Sequence, residues 1–451
     1  MVFSSLLFLF WFIPIFFAVY YIVPVKWKNA VLFTGSIVFY AWGEPQFLIL
    51  IFISVIVNYV AGLLMQRKPK TVLICALIFD FAMLFVFKYA GFFVSNINNL
   101  FGTSLRVPTL TLPLGISFYT FQIASYVIDL YKGKIKVCKN PLTLGTYLVM
   151  FPQLIAGPIV VYEDVEKELN VRKITPSMIE EGITTFILGL SSKVLIANQV
   201  GALWNDLGSI GYDRISMPLA WLGVVAYTLQ IYFDFNGYSL MAIGLGKMLG
   251  FNLPDNFNYP YVSRSLTEFW RRWHITLSSW FRDYVYIPLG GNRKGAIRTY
   301  VNLFIVWFLT GFWHGAGWNF ILWGLFFFVT LSIEKLFLGD FLKRHTVLSR
   351  IYSLVLIGLS WMIFAITDFS QLVAYFVKLF SPDTGYDVLY YLRNYGVIIL
   401  VGIVFSSQAV GKRFRNLCGK IIGVPILVAL LALSVCYLAD ASFNPFLYFR
   451  F

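Results

Sequence analysis

The sequence predicts an all-α polytopic membrane protein, and three observations carry that prediction. The 451-residue chain is 59% hydrophobic and 12% charged, whereas a soluble domain is nearer half apolar and a quarter charged. Its mean hydropathy is +0.76. Apolar runs recur along the whole sequence, and about 20 apolar residues suffice for a helix to cross a bilayer. The length therefore predicts one bundle of roughly ten to twelve spans, in a single transmembrane domain over residues 1–451.

The apolar segments follow one another with short polar loops between them. The first, Ser4 to Val23, has no basic residue ahead of it and ends at a poor cleavage site, so we expect a retained span. Several segments fall short of about 20 residues, which predicts re-entrant or paired half-helices packed inside protein. The segments run roughly over residues 4–24, 30–43, 46–65, 71–90, 112–130, 143–161, 179–200, 216–250, 300–313, 317–338, 350–367, 391–406 and 420–440.

The net charge of +14 comes from basic residues spread among the spans. Lys and Arg in short loops are typical of the cytoplasmic side of a membrane protein. The charge therefore indicates the lipid bilayer, and not a nucleic acid, as the partner. The cysteines have no metal-type spacing, and we expect no metal site; they are Cys75, Cys138, Cys418 and Cys436.

The stretch 251–299 is basic and predicts an amphipathic segment on the cytoplasmic side. Ser265 and Glu268 match an S-x-x-E capping box, whose hydroxyl and carboxylate accept hydrogen bonds from free backbone N–H groups. Beyond it, aromatic and leucine residues recur at three- and four-residue steps and predict one apolar helix face. The opposite face of this helix is polar, and two interpretations of it stay open: a solvated surface or part of a functional site. That polar stripe carries Arg271, His274, Ser278 and Arg282.

His314 lies at the end of the apolar run Val301–Trp313 and precedes Gly315-Ala316-Gly317. An ionisable side chain inside a membrane is costly, and its default interpretation is functional. Small residues beside it let a backbone or a ligand approach closely. A structural histidine would need a partner for each ring nitrogen, so we favour a general base at His314.

Gln230, Asp234 and Tyr238 recur at four-residue steps and share one face of a predicted helix. An unpaired carboxylate in lipid is implausible, so this face points inward. We favour a structural role that joins helices over a catalytic one. Lys193 is interpreted as a residue at a span end whose side chain reaches the interface. Two prolines and a glycine exclude a regular helix over Phe151–Pro158.

Several catalytic motifs are absent from the sequence. It has no GxxxxGK[ST] phosphate loop, no HExxH zinc helix and no GxSxG nucleophile turn. ATP-driven hydrolysis, zinc-protease activity and serine-hydrolase activity are therefore not expected. A membrane cavity with histidines, arginines and an aspartate suits acyl transfer, with histidine activating a hydroxyl, or proton-coupled transport.

Together these segments resemble the membrane-bound O-acyltransferase (MBOAT) family, in particular its bacterial branch that O-acetylates alginate, cellulose, other exopolysaccharides and peptidoglycan. The stretch around His274 and the later Trp-His-Gly are the specific part of this resemblance. A related branch exports D-alanyl groups to teichoic acid; Arg271 and Pro288–Asn292 favour the acetyl branch over it. The resembling stretches are Phe151–Pro158, Asp234–Ser239, Phe269–Arg293, Trp313–Gly315 and Asn444–Phe451.

The resemblance implies a ring of about 11 transmembrane helices around a funnel or tunnel, with re-entrant and amphipathic cytoplasmic helices. It implies that His314 is the intramembrane catalytic histidine and His274 the second histidine, nearer the cytoplasmic funnel. Tyr448, in the aromatic motif 444–451, matches a tyrosine thought to relay the acyl group. Its phenol ester would be reactive enough for an intermediate, while an aromatic anchor at the membrane interface is the alternative. The residues expected to position the donor are Arg271, Arg282, Ser278 and Asn319.

The resulting expectation is an O-acetyltransferase in the bacterial cell (inner or plasma) membrane. It would take an acetyl group from a cytoplasmic thioester, with acetyl-CoA as a substrate and no bound cofactor, for O-acetylation of a cell-envelope or exported polysaccharide. An extracellular SGNH-type acyltransferase is the expected protein partner. The alternatives are a D-alanyl-exporting relative, a proton-coupled transporter and a structural scaffold.

Overall fold

The computed structural model describes residues 1–155, 157–440 and 447, and in these residues it contains helices and no strands. Eight helices of the described chain are long and apolar enough to cross a membrane, and the shorter helices Phe8–Ile22 and Phe369–Leu379 are also apolar. The prediction of an all-α polytopic membrane protein is confirmed. The eight candidate spans are Pro45–Leu64, Pro69–Lys88, Pro176–Ile210, Ala296–His314, Trp318–Arg344, Thr346–Ala365, Asp387–Phe405 and Ile421–Asp440.

Most of the longer α-helices follow the apolar segments of the sequence, whereas Tyr162–Asn170, Gly339–Arg344 and Gln408–Cys418 are charged; short 3₁₀ or π-helical pieces extend several helices. In chain order they are α1 Ile13–Ile22, α2 Lys28–Ala41, α3 Leu48–Leu64, α4 Pro69–Lys88, α5 Ala90–Phe101, α6 Ile116–Tyr131, α7 Pro141–Val149, α8 Phe151–Leu154, α9 Tyr162–Asn170, α10 Pro176–Ser191, α11 Asn198–Ile210, α12 Met217–Leu249, α13 Leu266–Trp270, α14 Ile275–Phe281, α15 Ala296–His314, α16 Trp318–Ile333, α17 Gly339–Arg344, α18 Thr346–Ala365, α19 Phe369–Leu379, α20 Asp387–Phe405, α21 Gln408–Cys418 and α22 Val424–Asp440.

The chain forms two compact units. Unit 1 comprises Met1–Phe186 and Met241–Pro254, and unit 2 comprises Ile187–Leu240 and Asp255–Phe451. The boundaries fall within or just after the long helices α10 and α12. The organisation of residues 1–451 as a single domain stays a prediction.

An aromatic cluster forms part of the core of unit 1. The ring of Phe151 lies 5.2 Å from that of Phe16, 5.4 Å from that of Phe12 and 5.5 Å from that of Phe39. Phe151 can reach these rings because the chain turns at Met150, which has φ −55° and ψ 122° and separates α7 from α8. The prediction that this proline-containing segment is not a regular helix is confirmed.

Helices α15 and α16 form a close hairpin in unit 2, because glycines let their backbones meet. A Cβ on Gly311 would lie 2.3 Å from the carbonyl oxygen of Phe320, and a Cβ on Gly324 would lie 2.4 Å from that of Trp307. Both distances are far below van der Waals contact, so glycine is needed at each position. The hairpin fixes how the end of α15 faces α16.

The basic stretch of unit 2 is not one continuous helix, and that part of the sequence prediction is wrong. Helix α13 ends at Trp270 and α14 begins at Ile275. His274, in the turn between them, has φ +43° and ψ 54°, a left-handed conformation that is uncommon outside glycine. The turn rotates α14 relative to α13, so the polar stripe predicted for one helix face does not form.

The predicted helix start at Ser265 is confirmed. Its hydroxyl accepts the backbone N–H of Glu268 at 3.0 Å, as an N-cap residue does. The Glu268 carboxylate accepts the backbone N–H of Arg264 at 2.9 Å. The cap therefore begins α13 where the sequence indicated, and only the length of the helix differs.

Candidate active site

The turn between α13 and α14 directs His274 into the interior of unit 2. The side chain is 1% exposed, and its ring meets the ring of Phe235 edge-on at 4.7 Å between centroids. Left-handed backbone outside glycine stores strain of about 1–3 kcal/mol and tends to occur at functional sites. The prediction that His274 lies on a polar helix stripe with arginines is wrong, because the turn buries it; of the two interpretations of that stripe, the solvated face does not apply to His274.

Asn256 determines which ring nitrogen of His274 carries the proton. Asn256 Oδ1 lies 3.0 Å from His274 Nδ1, and it accepts hydrogen bonds from the backbone N–H and the hydroxyl of Thr276 at 3.3 and 2.9 Å. A backbone N–H can only donate, so the atom that faces it is the amide oxygen. His274 Nδ1 is therefore the donor, and Nε2 presents a lone pair. Nε2 is buried and has no hydrogen-bond partner in the described part of the chain.

Burial keeps His274 neutral. It lowers the pKa of His274 to about 3, because an imidazolium loses its hydration in an apolar interior. A base works best when its pKa lies near the operating pH, and His274 is far below that range. It is better suited to accept a hydrogen bond through Nε2 than to hold a proton.

His314 ends α15 inside an aromatic enclosure. It is 6% exposed, and its ring meets those of Trp323 and Phe364 edge-on at 5.0 and 5.2 Å. Asn319 borders the same enclosure, since its Nδ2 donates to the carbonyl oxygen of Phe364 at 3.0 Å. A Cβ on Gly315 would lie 2.2 Å from the ring of Phe320. The close approach predicted at the glycine gap after His314 is confirmed.

Trp313 connects the two histidines. Its ring centroid lies 6.2 Å from that of His274 and 5.2 Å from that of His314. The histidines come from separate segments, the turn before α14 and the end of α15. Trp313 and His314 are neighbours in the sequence, so the contribution of tertiary packing is to bring the buried His274 to the same indole ring.

Trp323 supplies a hydrogen-bond donor beside His314. Its Nε1 is buried and has no acceptor among the residues that the structure describes. Buried donors normally have partners, so such an exception needs an explanation. An indole N–H can only donate, and here it is available to an oxygen atom of a substrate.

The residues predicted to position the donor lie in different environments. Arg271 is exposed, and Arg282 pairs with Asp283 at 2.7 Å between Nε and Oδ1. The Ser278 hydroxyl donates to the carbonyl oxygen of Trp270 at 3.3 Å. Asn319 is the member of this set that borders the His314 enclosure. The donor-positioning role of all four residues stays a prediction.

Asp234 forms a buried ion pair with Lys193. The distance between Lys193 Nζ and Asp234 Oδ1 is 2.6 Å, and the lysine side chain is 0% exposed. The interpretation of Lys193 as a residue that reaches the membrane interface is therefore wrong. The inward orientation of the Asp234 face is confirmed, since Gln230 and Tyr238 are also buried.

The second carboxylate oxygen of Asp234 binds the C-terminal segment. Its Oδ2 accepts the backbone N–H of Leu447 at 2.8 Å, and Leu447 is buried. Tyr448, the candidate acyl relay, lies outside the described residues. The contact at Leu447 nevertheless ties its immediate neighbour to the unit that carries both histidines.

Three site residues were not singled out from the sequence in these roles, and one of them, Trp323, lies in the apolar run of α16 with no motif around it. Asn256 lies in an irregular segment with no motif around it, and nothing in the sequence connects it to His274. Lys193 did carry a signal, because a lysine in an apolar run needs a partner. Asp234, the other charge in an apolar stretch, could have been proposed as that partner.

Comparison with known proteins gives a consistent result. The sequence model of the membrane-bound O-acyltransferase (MBOAT) family matches residues 139–377. This range includes His274, His314, Asn256 and Trp323. The chain is 37% identical to a probable alginate O-acetylase from Azotobacter vinelandii over 100% of both proteins. It is 36% identical to a peptidoglycan O-acetyltransferase from Helicobacter pylori, over 81% of this chain and 77% of that protein. A teichoic acid D-alanyltransferase from Streptococcus thermophilus is 31% identical over 52% of this chain and 59% of its own length.

Proposed function

The chain belongs to the membrane-bound O-acyltransferase family and is a multi-pass membrane acyltransferase, and on that premise we propose that it transfers an acetyl group. The donor is a cytoplasmic thioester, acetyl-CoA, which acts as a substrate. The acetyl group crosses the membrane and is used for O-acetylation of a cell-envelope or exported polysaccharide.

The meeting of His274 and His314 at Trp313 is the observation that carries this proposal. Both imidazoles are buried, and both rings border the same indole. Burying an ionisable side chain is costly, and such groups cluster at functional sites. Acyl transfer needs a base for the attacking hydroxyl, and an enclosed site keeps water from hydrolysing the thioester.

In the proposed step, His314 removes the proton from the attacking hydroxyl as its oxygen bonds to the thioester carbonyl carbon. The Trp323 N–H donates to the oxyanion that develops on the carbonyl oxygen. When the C–S bond breaks, the proton on His314 passes to the leaving thiolate, which departs as free coenzyme A. His274 stays neutral and accepts a hydrogen bond through Nε2, which orients the reactants.

Tyr448 is the hydroxyl that we assign as the first acceptor. The contact between Leu447 and Asp234 supports this, because it holds the preceding residue to unit 2. An acetyl ester of a phenol is more reactive than an alkyl ester, so it would serve as an intermediate. An extracellular SGNH-type acyltransferase would then move the acetyl group to the polysaccharide. The location that we propose for the protein is the bacterial cell membrane.

The acetyl assignment rests on the extent of similarity. The alginate O-acetylase relative aligns over the full length of the chain, whereas the D-alanyltransferase aligns over about half. Because the D-alanyltransferase is also similar, transfer of D-alanyl groups is the second candidate function. A carrier-protein gene and a D-alanine ligase gene beside this one would favour it. Membership of an acyltransferase family weighs against a proton-coupled transporter and a scaffold.

The test is acetyl transfer from radiolabelled acetyl-CoA by the protein in proteoliposomes. We expect His314→Ala to lower the rate by about 10²–10⁴-fold, the usual contribution of a general base. His345→Ala is the matched control, because His345 is exposed and stacks on Phe341 at 4.3 Å, away from the enclosure. Normal acetyl transfer by His314→Ala would reject the mechanism.

A further inference from the structure

Unit 2 contains a cavity that the proposed acyl-transfer site does not use. Its volume is about 1250 Å³, large enough for a drug-sized ligand or larger. Residues of α12, α18, α20 and α21 line it, together with the segment 261–272. We call it the basic cavity, because four of its lining residues in the described chain are cations: Arg264, Arg272, Arg350 and Lys412.

The walls of the basic cavity run along two helices in opposite directions. The hydroxyl of Tyr375, in α19, the helix after α18, donates to the carbonyl oxygen of Ala220 near the start of α12. Farther along α12, a Cβ on Gly358 would lie 2.8 Å from Val224. Moving toward the C-terminal end of α12 therefore means moving toward the start of α18, where Arg350 lies. Arg350 is about 12 Å from Gly358, at 1.5 Å per helical residue.

The other cations lie toward the same end as Arg350. The Tyr261 hydroxyl donates to the carbonyl oxygen of Thr228 at 2.6 Å. Thr228 lies one turn beyond Val224 along α12, so the segment that carries Arg264 and Arg272 lies farther toward the C-terminal end of α12 than the contact with Gly358. Helix α21 meets this segment, because a Cβ on Gly411 would lie 2.3 Å from the ring of Tyr259. Lys412 is the next residue. One end of the cavity is therefore basic.

Another part of the wall is apolar and belongs to candidate spans. Leu354 and Val355 lie on α18, and Ile403 lies near the end of α20. All three are exposed hydrophobic residues, and both helices are long and apolar enough to cross a membrane. The cations, in contrast, lie near span ends: Arg350 in the second turn of α18, and Lys412 beyond the end of α20 at Phe405.

Glu268, the acidic residue in the lining of the cavity, is neutralised by a cation. The Glu268 carboxylate pairs with Arg272 at 2.9 Å and accepts the backbone N–H of Arg264 at 2.9 Å. The four cations therefore leave a clear positive excess, which favours an anionic ligand. A basic end at the level of the headgroups and an apolar wall along the spans match a molecule with a phosphate and hydrocarbon chains.

A layer of aromatic rings separates the basic cavity from the histidines. Tyr261, which lines the cavity, stacks on Phe269 at 6.1 Å, and Phe269 stacks on Trp273 at 5.5 Å. Trp273 contacts Trp361 at 4.8 Å, and Trp361 stacks on Trp323, the ring beside His314. A ligand in the basic cavity is therefore on the far side of this layer from the proposed chemistry.

We propose that the basic cavity is a binding site for one anionic phospholipid. The phosphate lies among Arg264, Arg272, Arg350 and Lys412, and an acyl chain lies along Leu354, Val355 and Ile403. The proposal does not rest on the acetyl-transfer function proposed above. The lipid stabilises the segment 261–272, which leads directly into the turn of His274, so an anionic lipid should also raise the activity.

Native mass spectrometry of the full chain with phosphatidylglycerol or phosphatidylcholine tests the proposal. The test variant is Arg350→Gln/Lys412→Gln. Arg344→Gln/Arg413→Gln is the control, because it removes two neighbouring, exposed cations that do not line the cavity. We expect the wild type and the control to retain one phosphatidylglycerol and the test variant to bind it about 30-fold more weakly, as expected for two lost cation contacts.

A third variant, Leu354→Trp, fills the apolar wall without changing the charge and should also weaken phosphatidylglycerol binding. Equal retention of phosphatidylglycerol by the test and control variants would overturn the proposal. So would equal retention of phosphatidylcholine and phosphatidylglycerol by the wild type. Displacement of phosphatidylglycerol by free coenzyme A would also overturn it, since the cavity would then belong to the acyl donor.

Discussion

At the scale of single residues, the surroundings of His274 determine which ring nitrogen carries its proton and lower its pKa relative to a free imidazole. Asn256 fixes the proton on Nδ1, and burial lowers the pKa of His274 to about 3. The lone pair on Nε2 is therefore always present near neutral pH. His314 meets aromatic rings on several sides, and we assign the proton transfer to it.

The low pKa of His274 has a consequence for stability. In the unfolded chain this side chain would titrate near its ordinary pKa of about 6.5. Below that pH the unfolded state binds a proton that the folded state does not, so the free energy of unfolding falls as the pH drops from 6.5 toward 3. The loss from this residue is up to about 1.4 kcal/mol per pH unit. Above pH 6.5 the residue has no effect on the slope.

Thermal melting in detergent at several pH values between 7.5 and 4.5 measures this effect. His274→Gln removes the titrating group while keeping a polar side chain. We expect the wild type to lose stability on acidification more steeply than the variant. Parallel melting curves against pH would mean that His274 is accessible to protons in the folded state.

The indole N–H of Trp323 can be tested separately from its ring. Trp323→Phe keeps an aromatic side chain against His314 and removes the donor. Because the oxyanion exists only in the transition state, we expect kcat to fall by about 10²-fold with little change in KM. Trp307→Phe, a nearby buried tryptophan that packs against Trp323, is the control. Equal effects of the two substitutions would reject a donor role for Trp323.

At the scale of elements, the ion pair between Lys193 and Asp234 joins the π-helical piece Ser192–Ala197 to α12 and holds Leu447. Removing one partner of a buried pair leaves the other charge uncompensated, which typically costs about 3–5 kcal/mol. Replacing both partners with apolar residues of similar size is often neutral. Substitutions of one or both partners therefore separate the effect of the pair on folding stability from its effect on the contact with Leu447.

We expect Asp234→Ala to be strongly destabilised and Lys193→Met/Asp234→Leu to melt close to the wild type. The double variant still lacks the acceptor for the Leu447 N–H, so it should fold and yet transfer acetyl groups slowly. Melting temperature and acetyl transfer measured on the same samples test this. A double variant that is stable and fully active would show that the contact at Leu447 is dispensable.

At the scale of the whole molecule, the distribution of charge predicts the side from which the donor enters. Arg271, Arg293 and Arg298 are exposed in the basic stretch that precedes α15, and cytoplasmic loops of membrane proteins carry the excess of Lys and Arg. An anionic donor would also be attracted to that side.

Membrane vesicles of opposite orientation test this expectation. Acetyl-CoA does not cross the bilayer, so we expect inverted vesicles to consume it and right-side-out vesicles to do so only after permeabilisation. The His314→Ala protein in inverted vesicles provides the background rate. Consumption by intact right-side-out vesicles would place the donor site on the other side.

Much of the fold could be predicted because its cause is local. A run of apolar residues must form a helix in lipid, whatever surrounds it. The capping box at Ser265 and the proline break before Phe151 are also decided by neighbouring residues. The end of α13 was missed, since helical spacing continues through His274 and only packing around that side chain forces the turn.

The order of residues alone was enough to predict a helical membrane protein, to point to His274 and His314, and to reveal the family that the chain resembles. How these residues work depends on the way the chain folds. The fold places both histidines against Trp313, gives His274 its Asn256 partner, and pairs Lys193 with Asp234. Apart from the neighbours Trp313 and His314, these contacts join separate segments of the chain, and their geometry and desolvation depend on packing that no local pattern records.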